Sequence, residues 1–248
     1  MSAVRWIRAD NPSPMTMDGT RTYIIGRVHV AIIDPGPLLQ SHINAVAAAV
    51  GDRVNASVLV THAHPDHDEG ARALTERLRG TIVTPADGET IETDGGDLVA
   101  LATPGHTPDH MSFLLEQAHA LFCGDLMMGG LDTALVAPPE GNLREYLGSL
   151  QRLRELAPRV IYPAHGEPIE DVAAAIDRYM AHRRQRVAQV ETALTSGPRT
   201  SRGLADAIYG TELDERLRAY AASAVEAYLQ YLADEGRARQ VNNEWSLI

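Results

Sequence analysis

Three histidines and one aspartate stand close together in the segment Thr61–His67. These four side chains are His62, His64, Asp66 and His67. Neutral imidazole and carboxylate are the ligands that zinc and similar divalent metals take in proteins. Four ligands spaced this closely cannot all reach one ion on an unstrained backbone, so the segment predicts two metal ions that share it. The alternative is a polar loop with a chance excess of histidine, which ten histidines in 248 residues do not favour.

Other potential ligands stand where further apolar runs end. Residues 58–60 lead into the histidine segment, 99–102 lead to His106, 120–123 lead to Asp125, and 160–162 lead to His165. Each apolar run predicts a strand, and each loop that follows contains glycine or proline. Strands hold the bases of such loops rigidly. We therefore expect the remaining metal ligands to come from these strand ends, at one edge of a sheet.

Patterns elsewhere in the first two thirds of the chain predict the framework of these loops. The runs Tyr23–Ile25 and Val28–Ile33 predict a hairpin, whereas Trp6–Gly19 is interpreted as irregular because of its prolines and glycine. Apolar residues at helical spacing predict helices over Leu39–Val50, after Pro65, and from Leu143 to Leu153.

The pattern changes from about residue 170. A long helix is predicted over Val172–Leu194, and Ser196-Gly197-Pro198 breaks it. Two helical segments, Ser201–Tyr209 and Leu213–Asp234, come next, and Arg237–Ile248 predicts a hairpin with Asn242-Asn243 at its tip. Two helices followed by a hairpin are the outline of a small winged-helix module.

Composition restricts the functions to consider. The net charge is −11, and residues 1–177 carry all of it, with 12 arginines against 24 acidic residues. An acidic body argues against non-specific nucleic-acid binding, which depends on neutralising phosphates. There is no lysine, which excludes lysine-based covalent catalysis, and the single Cys123 excludes an internal disulfide. Without a signal-peptide pattern or a membrane-spanning apolar run, we expect a cytoplasmic protein.

The motifs together resemble the metallo-β-lactamase superfamily. The run THAHPDH at Thr61–His67, the GH at His106, the GD at Asp125 and the late His165 match that superfamily's metal-binding motifs in order. The resemblance implies an α+β fold, an αββα sandwich, followed here by the small, mostly helical winged-helix-like domain. It divides the chain into a catalytic domain at 1–170, a linking helix at 171–195 and the C-terminal module at 196–248.

The resemblance also implies two metal ions per chain, usually zinc. By motif position, the first ion would be held by His62, His64 and His106. The second would be held by Asp66, His67 and His165, and Asp125 would bridge both ions. Redox-active diiron members carry glutamate at the position of His64, so this chain is expected to hold zinc and to be hydrolytic.

A narrower similarity is to the β-lactamase-like-2 hydrolases. The stretches Asn11–Thr20, Pro104–His110 and Tyr162–Gly166 carry it, together with the C-terminal module. That group commonly has asparagine where this chain has Arg21, which puts a substrate contact at that position in doubt. Its members and neighbours include an endoribonuclease, acyl-carrier-protein thioesterases and glyoxalase-II-like enzymes.

Two zinc ions can share a hydroxide that is available at neutral pH, and Asp66 would orient it. Asp34 is interpreted as support for a ligand histidine, with turn capping as the alternative. His110 is interpreted as a structural or supporting histidine, with a substrate contact as the alternative, and Cys123 as a packing residue, with a metal ligand as the alternative. No substrate-binding residue is predicted. The arginines of 178–186 are interpreted as a solvated helix face, with a positive rim beside the active site as the alternative.

Three functions remain to be compared. The first is a dinuclear zinc hydrolase that acts on a small acyl or ester substrate: a thioester, ester, lactone or lactam. The second is a phosphodiesterase or endoribonuclease that uses the same metals on RNA. The third is a nucleic-acid-binding regulator that acts through the winged module, for which a lid over the substrate cleft is the simpler role. No membrane partner is expected, and assembly into homo-oligomers stays open.

Overall fold

The first three residues, the pair 52–53 and residues 198, 211 and 213 lie outside the part of the chain that this computed structural model describes. Elsewhere, the chain forms two five-stranded sheets, a hairpin and seven α-helices. The strands are β1 Arg5–Arg8, β2 Arg21–Ile25, β3 His29–Ile33, β4 Asn55–Leu59, β5 Thr81–Ile82, β6 Thr90–Ile91, β7 Leu98–Ala102, β8 Met111–Leu115, β9 Ala120–Phe122, β10 Val160–Tyr162, β11 Ala238–Val241 and β12 Glu244–Leu247. The helices are α1 Gln40–Val50, α2 Pro65–Asp68, α3 Ala71–Leu78, α4 Leu143–Leu156, α5 Val172–Leu194, α6 Ser201–Tyr209 and α7 Glu215–Asp234.

The two sheets and the helices that cover each of them form four layers, and three apolar clusters lie between these layers. The central cluster packs one sheet on the other and includes Ile33 and Leu59 of the first sheet and Phe113 and Phe122 of the second. A second cluster lies between the first sheet and the helices α1 and α3. A third lies between the second sheet and the helices α4 and α5, and it continues into the C-terminal helices. The predicted αββα sandwich is confirmed.

Strand direction places the four loops that carry the potential ligands together. In the second sheet, β7 and β9 are each antiparallel to β8, and β10 is parallel to β9, so β7, β9 and β10 all end at the same edge. The N–H of Met111, at the start of β8, donates to the carbonyl of Thr61 beyond β4, over 2.7 Å. This contact brings the end of β4 to the same edge.

The C-terminal segment follows the predicted order of two helices and a hairpin. Tyr228 of α7 is buried, and its hydroxyl accepts a hydrogen bond from Arg183 of α5 over 2.8 Å. Arg144 of α4 forms an ion pair with Glu235 at the end of α7 over 2.7 Å. The module therefore packs on the helices that cover the second sheet. The predicted break at Pro198 and the predicted helix start at Leu213 lie outside the described residues.

Two short strands were not predicted. The interpretation of Trp6–Gly19 as irregular is wrong at its start, because β1 pairs with β2 as an edge strand. Its four residues alternate between half-buried and exposed side chains, and a run this short and polar has no clear strand pattern. The strand β6 has only two residues and borders β7. None of the helices in the described ranges has the length and apolar character that a membrane span requires.

Candidate metal centre

Pro65 determines how the histidine segment is shaped. A residue before proline avoids the helical region, and His64 is accordingly extended, with φ −75° and ψ 145°. Pro65 then begins the one-turn helix α2, where its missing N–H has no cost. The change from extended chain to helix sends His62 and His64 toward one point and Asp66 and His67 toward another, as the two groups below show.

The first group consists of His62, His64 and His106. The Nδ1 atom of His64 lies 2.8 Å from Nε2 of His62 and 3.1 Å from Nε2 of His106. A neutral imidazole has one N–H, so three nitrogens that face one another cannot all be satisfied by hydrogen bonds among themselves. A cation at their meeting point would satisfy all three.

The outer ring nitrogens of these histidines each face an acceptor. Nε2 of His64 lies 3.0 Å from a Glu140 carboxylate oxygen, Nδ1 of His106 lies 2.7 Å from the Leu135 carbonyl, and Nδ1 of His62 lies 3.0 Å from the Thr61 hydroxyl. An outer N–H that donates to such an acceptor fixes the tautomer, and the lone pair then points to the shared centre.

The second group consists of Asp66, His67 and His165. Nε2 of His165 lies 3.2 Å from Oδ2 of Asp66, and Nε2 of His67 lies 3.5 Å from the same oxygen. Both histidines are fully buried. Their outer nitrogens face Oδ2 of Asp34, at 2.9 Å, and the Gly19 carbonyl, at 3.4 Å. This group has the same plan as the first, with lone pairs directed inward.

Asp125 lies between the two groups. Its Oδ1 is 3.4 Å from Nε2 of His67 and 3.2 Å from Nε2 of His165, and its Oδ2 is 3.8 Å from Nε2 of His106. One carboxylate therefore directs one oxygen to each group. The loop after β9 positions it, because the N–H of Leu126 donates to the Cys123 carbonyl in a tight turn.

The charges at this centre fit bound cations. Burial alone would lower the pKa of His165, but the carboxylates of Asp125 and Asp66 together outweigh burial and raise that pKa to about 9, which shows that they attract positive charge to this point. Burial would raise the pKa of Asp125, but His67 and His165 hold it well below its usual range. Burial is also the largest effect on His62, whose pKa is lowered, which favours the neutral imidazole that a metal needs.

Buried polar atoms without partners give a direct test of whether metal ions fit. His67 Nε2, His165 Nε2 and Asp125 Oδ1 are buried and have no partner of hydrogen-bond geometry in the described part of the chain. Such atoms are costly to bury unless something binds them. Imidazole nitrogens and carboxylate oxygens are also the donor types that zinc prefers. The residues present therefore fit two divalent cations.

Asp34 connects to both groups. Its left-handed backbone, with φ 53°, turns the carboxylate inward from the end of β3, where it is 2% exposed. One oxygen accepts from the Thr61 N–H over 2.8 Å, and the other faces both the Thr61 hydroxyl and Nδ1 of His67. Asp34 therefore supports His67 directly and His62 through the hydroxyl of Thr61.

Replacing Asp34 with asparagine should weaken metal binding about 10- to 100-fold, the usual cost of losing a partner behind a ligand histidine. Asparagine has the same shape and tolerates a positive φ, so the loss of charge is isolated. Competition with a chromogenic chelator measures the change. Asp94→Asn is the matched control, because Asp94 also accepts backbone N–H bonds but lies on an exposed turn. Equal affinities in the two variants would contradict this role for Asp34.

His110 and Cys123 lie beside the centre but outside both groups. The His110 ring is 5.2 Å from that of His62, and its Nδ1 lies 2.9 Å from the Thr103 hydroxyl. Burial lowers the pKa of His110 to about 3, which keeps the ring neutral. Cys123 is buried, and burial raises the pKa of its thiol to about 12, so it stays protonated and packs.

Arg21 is buried and paired with acidic side chains. Its guanidinium bonds to Asp18 and Glu167 over 3.0 Å each and lies over the ring of Trp6. The arginine therefore ties the N-terminal loop to the loop that carries His165.

Sequence reasoning did not identify three acceptors, Glu140, Leu135 and Gly19, that lie behind the histidines. Two of them act through backbone carbonyls, which have no sequence signature. Glu140 and Leu135 belong to the loop 124–141, which forms neither helix nor strand.

Comparisons with known proteins identify the family of the chain. The sequence profile described as "Metallo-beta-lactamase superfamily" matches residues 78–165, and the profile of the "Beta-lactamase associated winged helix domain" matches residues 200–245. A "Beta-lactamase-like protein 2 homolog" of Caenorhabditis elegans is 32% identical over 76% of this chain and 70% of its own length. An "Atrochrysone carboxyl ACP thioesterase" of Aspergillus fumigatus is 32% identical over 79% of this chain and 66% of its own length.

A solved structure shares the complete fold. A metallo-beta-lactamase family protein from Thermus thermophilus superposes with a TM-score of 0.81 at 22% identity, and the match covers 100% of this chain and 99% of that one. At this identity the likeness concerns the fold, including the C-terminal helices. The chain thus belongs to the metallo-β-lactamase superfamily, carries the associated winged-helix domain and is a metal-dependent hydrolase.

Proposed function

We propose that the chain is a dinuclear zinc hydrolase that cleaves a small acyl substrate, with acyl thioesters first among the candidates. The observation that carries this proposal is the pair of ligand groups joined by Asp125. One carboxylate that directs an oxygen to each group suits two cations close together, which is the arrangement that hydrolytic metal pairs use.

Two bound zinc ions would supply a water nucleophile at neutral pH and a Lewis acid for the substrate oxygen. The residues of the chain hold and orient what reacts. Asp66 is the catalytic carboxylate in this proposal, because its side chain is 26% exposed whereas that of His165 is fully buried. Burial would raise the pKa of Asp66, but His165 and His67 lower it overall, so the carboxylate is ionised and can orient the attacking water.

The choice of a thioester as the substrate is supported by a relative rather than by the metal groups themselves. The Aspergillus fumigatus relative at 32% identity is named as an acyl-carrier-protein thioesterase. Metal groups of this type serve several kinds of hydrolysis, and the loops around them select the substrate. RNA as a substrate and a nucleic-acid-binding role stay alternatives. Ion pairs of Arg202 and Arg218 with Glu215 reduce the positive charge of the winged module and do not favour phosphate binding.

One panel tests the proposal. Protein loaded with zinc is assayed against acyl thioesters, an ester, a lactone, a β-lactam and single-stranded RNA, and its zinc and iron are measured by elemental analysis. We expect two zinc ions per chain and the highest kcat/KM on a thioester. Fewer than one zinc per chain would refute the dinuclear site, and cleavage of RNA alone would assign the second function.

Removal of the metals should lower the stability of the protein substantially. A ligand that binds only the folded state, present at about 1,000 times its Kd, contributes about 4 kcal/mol. For a domain of this size, that corresponds to a fall in Tm of roughly 10 °C. Thermal unfolding with and without EDTA measures the change, and restoring zinc in excess should reverse it. A Tm that EDTA leaves unchanged would contradict a resident metal.

A further inference from the structure

A cavity of about 370 Å³ lies beside the metal centre, where four parts of the chain meet. Its walls come from the N-terminal loop at Met15, the loop 128–135, the helix α5 and the helices α6 and α7 of the winged module. The volume is within the range of small-molecule sites, about 300–1,000 Å³. The candidate site is therefore shared between the catalytic domain and the C-terminal module.

The rim of this cavity is an exposed apolar patch. Met15, Leu131 and Leu217 line it, and they are 39%, 42% and 43% exposed. These residues are far apart in sequence, yet the fold brings them to one opening. Large apolar side chains that remain exposed together usually mark a binding surface. An apolar ligand group would cover them.

The charge of the cavity is opposite to that of the chain. Its described lining contains Arg183 and Arg186 and no aspartate or glutamate, although the whole chain has a net charge of −11. Asp132, which adjoins the lining, is paired with Arg178 over 2.8 Å. A cationic, apolar cavity in an acidic protein is complementary to an apolar ligand that carries negative charge.

The two arginines of the lining have different surroundings. Arg183 is 2% exposed, and it donates to the Tyr228 hydroxyl and to the Ala134 carbonyl, so it fixes the wall. Arg186 is half-buried, its guanidinium lies 4.6 Å from the centre of the Tyr209 ring, and one nitrogen donates to Gln189. No carboxylate lies within ion-pair distance of either arginine in the described ranges. Arg186 is thus the cation available to a ligand.

The cavity is connected to the metal centre through one stretch of backbone. Leu135 lines the cavity, and its carbonyl is the acceptor that faces Nδ1 of His106. Met128 also lines it, and the next residue, Gly129, donates its N–H to the His165 carbonyl over 2.9 Å. A molecule in the cavity would lie next to the residues that position two ligand histidines.

We propose that this cavity binds the acyl part of the substrate, and that this acyl group is apolar and carries an anionic substituent that Arg186 binds. The inference rests on the proposed hydrolase function and names its substrate class. The carbonyl to be cleaved would lie at the metal groups while the acyl body occupies the cavity.

Binding without turnover tests the site separately from the reaction. The probes are hexane-1-sulfonate, octane-1-sulfonate and octan-1-ol, titrated by calorimetry into the full-length, zinc-loaded protein; sulfonates are weak zinc ligands. We expect roughly tenfold tighter binding of the octyl than of the hexyl sulfonate, because two more methylenes are buried. We expect octane-1-sulfonate to bind about tenfold tighter than octan-1-ol, because of the charged hydrogen bond.

Two pairs of variants test whether the probe binds in the cavity. Arg186→Met should remove the preference for the sulfonate over the alcohol, whereas Arg184→Met, on the exposed face of α5, should preserve it. Ala224→Phe should fill the cavity and weaken octyl binding at least tenfold, whereas Ala219→Phe, exposed on α7, should not. Far-UV circular dichroism and the Tm of each variant verify folding.

The outcomes separate this inference from the proposed function. Sulfonate binding that Arg186→Met and Ala224→Phe weaken, in a protein that cleaves no thioester, would support the cavity and refute the reaction. Thioester cleavage without sulfonate binding, and without any preference for acyl chain length, would refute the cavity and retain the reaction. Equal effects of a lining variant and its control would also overturn the inference.

Discussion

Replacing Asp125 with asparagine should reduce turnover by roughly three orders of magnitude or more and leave at most one metal ion per chain. The substitution replaces the carboxylate whose oxygens face His67, His165 and His106 with a neutral amide, which is a poor ligand for zinc. Metal ions contribute several kcal/mol of transition-state stabilisation, and each 1.36 kcal/mol is tenfold in rate. Elemental analysis and kcat/KM on the best panel substrate measure the two effects.

The control for this variant is Asp109→Asn. Asp109 is an exposed carboxylate in the same loop as His106, so the substitution makes the same chemical change without altering the centre. It should keep two metals and the parental rate. A near-UV circular dichroism spectrum shows whether Asp125→Asn is folded. If that variant is folded, binds two zinc ions and turns over at the parental rate, the bridging role is wrong.

Replacing Gly105 with alanine should lower the free energy of unfolding by about 3–5 kcal/mol. Gly105 has φ +127°, and a Cβ atom there would lie 2.2 Å from the backbone nitrogen of Tyr146 and 2.3 Å from its Cα atom. Either the loop or the helix α4 would have to move. His106 is the next residue, so the displacement should also weaken metal binding at the first group.

Gly148→Ala, in the same helix as Tyr146, provides the matched comparison. Gly148 lies in α4, two residues after Tyr146, and a Cβ atom there would meet nothing within 4 Å. Alanine in an open helix interior should stabilise the protein by about 0.5–1 kcal/mol. Urea unfolding gives both values. The steric argument would be untenable if Gly105→Ala proved as stable as Gly148→Ala.

The residues of the two candidate ligand groups could be named from the sequence because their chemistry is carried by side-chain type and spacing, and the structure brings them together. His62 and Asp125 follow strands, and strand ends at one sheet edge bring such residues together. The helix Val172–Leu194 was predicted with its observed ends because its apolar stripe is long and its limits are sharp.

The features that could not be predicted from the sequence are formed by backbone atoms or by residues that are far apart in the chain. The acceptor behind His106 is the Leu135 carbonyl, a group that any residue at that position would supply, so its identity carries no signal. The cavity combines Met15, Leu131 and Leu217, which no local pattern connects. Arg183 belongs to a run of arginines interpreted as a solvated face, yet it is buried, because two tyrosine side chains and a carbonyl surround it.

Because the strands β7, β9 and β10 run in the same direction, the residues of the two groups lie at one edge of the sheets. None of them lies at the opposite edge. The turn 116–119, which joins β8 to β9, lies at that edge. The length of β8, five residues or about 17 Å, separates this turn from the two ligand groups. A fluorophore, an affinity tag or an anchor to a solid support placed in this turn would keep the reactive edge facing solution. The fold thus offers an attachment point that is independent of the substrate the enzyme proves to take.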